Sequence, residues 1–157
     1  MKMTTTLRVK NEVVISVILM IVMAFFSVAD FSSISIKPNI FLAVIVVASL
    51  IIETWYVYFG LILAELLWLK FTPFFLPEYG ILFVIAATAF AISRLFIFGK
   101  TRPVRIALVL LFQLIFWLFL QAGPIIISLV FFLELVYNII AVEILFALSS
   151  WLKKISF

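Results

Sequence analysis

Neither cysteine nor histidine occurs anywhere in this 157-residue chain. Their absence removes thiolate and imidazole metal sites, haem ligation by either residue, and the Ser-His and Cys-His nucleophile pairs. No nucleophile-base pair, metal set or pair of carboxylates at one depth can be assembled from what is left, so we expect no enzyme, no metal and no cofactor. Charge is scarce as well: 11% of residues are Asp, Glu, Lys or Arg, against about a quarter in soluble domains. Glycine (four) and proline (five) are too few for a low-complexity or disordered chain, and no internal repeat is visible.

What the chain has instead is 68% hydrophobic residues and a mean hydropathy of +1.44. That composition reads as an all-α integral membrane protein, a compact bundle in one transmembrane domain over residues 1–157. The net charge of +4 is a matter of topology and not of nucleic-acid binding, because the basic residues sit between apolar runs.

Apolar runs place six spans at about 13–30, 38–53, 55–70, 79–98, 104–121 and 125–148. Lys2, Arg8 and Lys10 precede the first, which reads as a retained helix; Ser27-Val28-Ala29 before Asp30 supports the rival reading of a cleaved signal segment. Lys37-Pro38-Asn39 opens the second: Pro38 suits a first helical position, and Asn39 can bond free amides of the first turn. Glu53-Thr54 is a polar bend between the second and third runs. Pro73 and Pro77 predict a loop before the fourth span, in which Ala86 to Ala91 offers a small-residue face.

Residues 38–71 fit either a tight hairpin or one long rod. As a hairpin, they put Lys2, Arg8, Lys10, Arg94, Lys100, Arg102, Arg105, Lys153 and Lys154 on one side, leaving only Lys37 and Lys70 of the eleven basic residues opposite. A rod gives five spans and a weaker charge bias, so the positive-inside rule selects six spans with both termini cytoplasmic. Each hairpin arm is roughly 22 Å long, short of a ~30 Å hydrocarbon core. The pair therefore either packs against other helices or extends through Glu53 and Lys70 with those charges reaching the interface.

Carboxylates in lipid need a reason, since each costs about 2.5–3.5 kcal/mol at mid-bilayer. Glu65, four residues from the end of its span, reaches the outer interface in this reading, and Glu143 leans toward the cytoplasm; neither has an obvious cation at its depth. Glu134 lies deeper. With Asn138 one turn on and Gln113 in the preceding span, it predicts a buried hydrogen-bond cluster holding Glu134 protonated, which joins helices or forms a proton or ligand site. Arg94, Lys100, Arg102 and Arg105 form a cytoplasmic basic loop, explained by topology alone or by an anionic-lipid or protein contact.

These stretches resemble the rod shape-determining protein MreD family. Lys37-Pro38-Asn39 is similar to its basic-Pro-Asn start of the second helix, Phe59-Gly60-Leu61 with Ala64-Glu65-Leu66-Leu67 to its third-helix pattern, and Asn138 before Lys153-Lys154 to an Asn in its last helix. Glu65 stands where the family usually has Asp. The resemblance implies a multi-pass protein of the bacterial inner membrane that acts without catalysis in cell elongation. Its implied partners are an MreC-like protein and the peptidoglycan synthases of the side wall, with Pro38, Asn39, Gly60, Glu65, Gln113, Glu134 and Asn138 as partner-binding or structural polar positions. The implied fold is similar to the substrate-binding subunit of energy-coupling-factor transporters, which supplies the alternative: a subunit binding a vitamin-like small ligand.

Overall fold

A computed structural model of the chain describes residues 2–28, 39–69, 76–95, 101–120 and 129–154. Among the described residues there are six helices: α1 (Lys2–Val28), α2 (Ile40–Ile51), α3 (Trp55–Leu69), α4 (Leu76–Leu95), α5 (Arg102–Leu120) and α6 (Leu129–Lys154). Two of them are long and apolar enough to cross a membrane, over Arg8–Phe26 and Phe131–Lys154, while Ile40–Ile51, Trp55–Trp68 and Gly80–Leu95 are shorter apolar helices.

The helices are arranged around α2. It packs against all five others, most extensively α6, and the remaining contacts close a ring in the order α1, α3, α4, α5, α6 and back to α1. A helix that is apolar on every side belongs in a protein core or in a bilayer, and α2, the sequence IFLAVIVVASLI, takes the core. Every residue from Phe41 to Ile51 is buried. The outward faces of the ring are apolar too, with Val17, Ile21 and Phe25 on α1, Leu63 and Leu67 on α3, Val84 on α4 and Ile140 and Ile144 on α6 all exposed.

Within the expected 38–71 stretch, the described residues 39–69 are thus a hairpin, broken at Ile52–Thr54. With 12 residues, α2 is roughly 18 Å long. Glu53 lies outside both helices of the hairpin, so of the two expectations for the short arms, enclosure by neighbours describes α2.

Several boundaries differ from those expected. Pro77 does not sit in a loop; it occupies the first turn of α4, where an N–H has no intrahelical partner to lose, and Pro103 does the same in α5. Arg94 ends α4, and Arg102 and Arg105 belong to α5, so three of the four residues expected in a basic loop are helical. Helix α6 runs on to Lys154, with Lys153 and Lys154 in its last turn.

The inner face of α4 is small, and α3 fills it with rings. Ala86 and Ala89 are fully buried. Tyr58 Oη donates to the Ala86 carbonyl at 2.8 Å, and its ring stacks on Phe90 at 4.8 Å between centroids.

Candidate functional site

Polar groups inside the bundle collect at the two ends of α2. At its N-terminus, Asn39 is the cap: its Oδ1 accepts from Leu42 N–H at 3.1 Å, satisfying one of the free amides of the first turn. The Asn39 N–H in turn donates to Asn138 Oδ1 on α6 at 2.6 Å. Asn138 Nδ2 donates to Gln113 Oε1 on α5 at 2.5 Å, and Gln113 Nε2 donates to Glu134 Oε2 at 3.1 Å. Trp117 Nε1 donates to the same oxygen at 2.8 Å. One chain of bonds therefore ties α2, α6 and α5 together, with Asn138 and Gln113 completely inaccessible to solvent.

The order of that chain follows from side-chain chemistry. Asn and Gln each carry both a donor and an acceptor, so they relay a hydrogen bond, whereas the Glu134 carboxyl ends the relay by accepting from two N–H groups. Gln113 and Trp117 are four residues apart and share a face of α5, as do Glu134 and Asn138 on α6. Asn39, Gln113, Glu134 and Asn138 thus converge. Trp117 is the member that sequence reasoning missed, although its i+4 spacing from Gln113 was the available signal.

At the other end of α2, three cations and two carboxylates surround the hairpin bend. Lys153 Nζ donates to the Ile51 carbonyl at 3.2 Å, and Arg94 donates to the carbonyl of Ile52. Cations suit the negative end of a helix dipole. Glu12, 1% exposed on α1, takes the opposite role at the start of α3: its two oxygens accept the N–H groups of Glu53 and Thr54, each at 3.1 Å. Arg8 pairs with both Glu12 and Glu53, and Lys153 Nζ reaches Glu53 Oε1 at 3.1 Å. Glu12 went unnoticed in the sequence, where Arg8 four residues earlier marks it.

Arg105 and Glu143 make a separate pair between α5 and α6. The guanidinium is bidentate, with Nε to Oε1 at 3.0 Å and Nη2 to Oε2 at 2.6 Å, and it lies over the Phe146 ring, 4.2 Å from the centroid. This corrects the expectation that Glu143 has no cation at its depth. Arg94 and Arg102 are both exposed, and the Arg94 guanidinium lies over the Phe90 ring, 4.6 Å from its centroid. Pro38 and Lys100 lie outside the described residues.

Glu65 and Gly60 stand apart from both clusters. Glu65 does not reach an interface: it is fully buried, and neither carboxyl oxygen has a hydrogen-bond partner. Gly60 is exposed, and a Cβ there would meet nothing within 4 Å, so no helix of the bundle needs its small size. Among the described residues no group of three or more Asp or Glu side chains is placed to hold a metal ion. Compared with known proteins, the chain matches no family model, no curated sequence and no solved structure.

Proposed function

We propose that the chain is a six-span membrane bundle with both termini cytoplasmic, acting as a non-enzymatic scaffold of the bacterial cell-elongation machinery and binding an MreC-like partner. One observation carries the reading. Asn39 and Asn138 lie in two of the stretches that resemble the MreD family, and they are joined by a direct hydrogen bond across 99 residues of sequence. A chance likeness between apolar helices gives no reason for those two positions to meet.

The topology is supported by charge. Arg8, Arg94 and Lys153 meet at one end of α2, which the positive-inside rule makes the cytoplasmic end. Lys153 and Glu134 are 19 positions apart on α6, roughly 28 Å at 1.5 Å per residue, close to a ~30 Å hydrocarbon core. The scaffold role is supported by where the polar groups are used: Asn39, Asn138, Gln113, Glu134, Arg105 and Glu143 all bond one helix to another, which makes a rigid body with an apolar outside.

In-cell crosslinking of the tagged full chain in its native host, followed by detergent purification and mass spectrometry, tests the proposal. Recovery of an MreC-like protein or of elongation synthases is the expected result. Recovery of an energy-coupling transmembrane subunit with its ATPases would replace the scaffold with the vitamin-binding alternative.

A further inference from the structure

Glu134 ends the hydrogen-bond relay at the N-terminus of α2, and its position raises a question of charge. Two N–H donors, Gln113 Nε2 and Trp117 Nε1, point at one oxygen, Oε2. Both are neutral. Among the described residues no cation lies within ion-pair distance of Glu134, in contrast to Glu12 and Glu143, which have one each, and Glu53, which has two. The residue is half-buried, nothing among the described residues donates to Oε1, and two fixed N–H groups on Oε2 hold the carboxyl in one orientation.

The level of this group in the bundle matters. Glu134 is 19 positions before Lys153 on one continuous helix, so when Lys153 sits at the cytoplasmic rim of the hydrocarbon, Glu134 sits at the opposite rim. That is the level of phospholipid head groups. The indole of Trp117 beside it is the side chain most suited to such a boundary, with one polar edge and an apolar body. Below Glu134, at steps of three and four, come Tyr137, Ala141, Ile144 and Leu148. Tyr137, Ile144 and Leu148 are exposed and share the flank of α6 that carries Glu134, a strip of apolar surface running inward along the path of an acyl chain.

We propose that Glu134 Oε1 binds the primary ammonium of an aminophospholipid in the outer leaflet, with one acyl chain lying along Tyr137, Ile144 and Leu148. An ammonium has three N–H donors and no acceptor, which matches a half-buried carboxyl whose Oε1 accepts from no described residue. A glycerol or phosphate head group alone has no cation to offer it. The inference rests on the membrane-spanning reading given above but not on the role in cell elongation.

The test is native mass spectrometry of the full chain in detergent, equilibrated with phosphatidylethanolamine, phosphatidylcholine and phosphatidylglycerol of identical acyl chains. Phosphatidylethanolamine is expected to be retained about fivefold over the other two, the worth of one charge pair at a membrane surface. Glu134→Gln, which keeps an acceptor for Gln113 and Trp117, is expected to abolish the preference. Equal retention of all three lipids by the unaltered chain overturns the proposal even if the variant fails to fold. So does an undiminished preference in a folded variant. A zero-length carbodiimide crosslink from Glu134 to a lysine of a co-purifying protein would also overturn it, by assigning the carboxyl to a protein. If the chain does not sediment with membranes at all, the spanning reading itself fails, a result distinct from any of these.

Discussion

Asn138→Ala tests the organisation of the bundle most directly. The substitution removes an acceptor and a donor at once, leaving the Asn39 N–H and Gln113 Oε1 without partners. Gln113 is fully buried, so water cannot replace the lost bond on that side. Interhelical hydrogen bonds in membrane proteins average about 0.6 kcal/mol, so two give a floor near ~1.2 kcal/mol. Orphaned buried groups cost about 1–3 kcal/mol each. We expect a loss of ~1.5–3 kcal/mol. Reversible unfolding in mixed micelles, followed by circular dichroism, measures it, and a double-mutant cycle with Gln113→Ala isolates the contact. A coupling of ~0.5–1.5 kcal/mol is expected for groups in one network. Asn138→Asp sharpens the argument: it keeps the acceptor for Asn39 but sets a second acceptor against Gln113 Oε1, so it should be at least as harmful as Ala. A loss under ~0.5 kcal/mol for Ala, within the range of surface substitutions, would show that the relay does not hold α2, α5 and α6 together.

Other perturbations address the remaining polar groups. Glu143→Ala leaves the Arg105 guanidinium without its bidentate partner and should cost ~2–4 kcal/mol in the same unfolding assay, well above an exposed pair; Arg105→Lys should not restore the loss caused by Arg105→Ala, because an ammonium cannot form the fork. Glu12→Ala frees two backbone N–H groups at the start of α3, and we expect increased proteolysis at the hairpin bend together with a loss of ~2 kcal/mol or more. Glu65→Leu removes a carboxyl that has no partner and should leave bundle stability unchanged or raised; a clear loss would mean that Glu65 is bonded within the folded bundle. Gly60→Ala meets no steric conflict and should stabilise α3 by up to ~1 kcal/mol, while weakening partner capture in the crosslinking assay if this exposed position is where a partner helix approaches.

The sequence alone determined a great deal. Hydropathy, with the basic residues confined to the ends of runs, defines six helices, and the bend at Glu53-Thr54 is legible because two adjacent polar residues interrupt an otherwise apolar stretch. The convergence of Gln113, Glu134 and Asn138 was legible from spacing as well, since residues four apart share a helix face and a polar residue on the preceding antiparallel helix is their natural partner. Which helix lies at the centre is not decided by apolar character alone, because α1, α3 and α6 carry large apolar residues on their outward faces as well. Only the tertiary structure placed α2 inside a ring of five. That placement decided the partners: it brought Asn39 to Asn138, set Lys153 and Arg94 on the carbonyls of Ile51 and Ile52, and gave Glu12 the two amides at the bend. It also separated carboxyls that look alike in sequence, pairing Glu143 with Arg105, burying Glu65 alone, and setting two N–H donors on one oxygen of Glu134. The physical reason is common to all of them: a hydrogen bond or ion pair between helices depends on depth and rotation, and these are fixed by packing, not by the local run of residues.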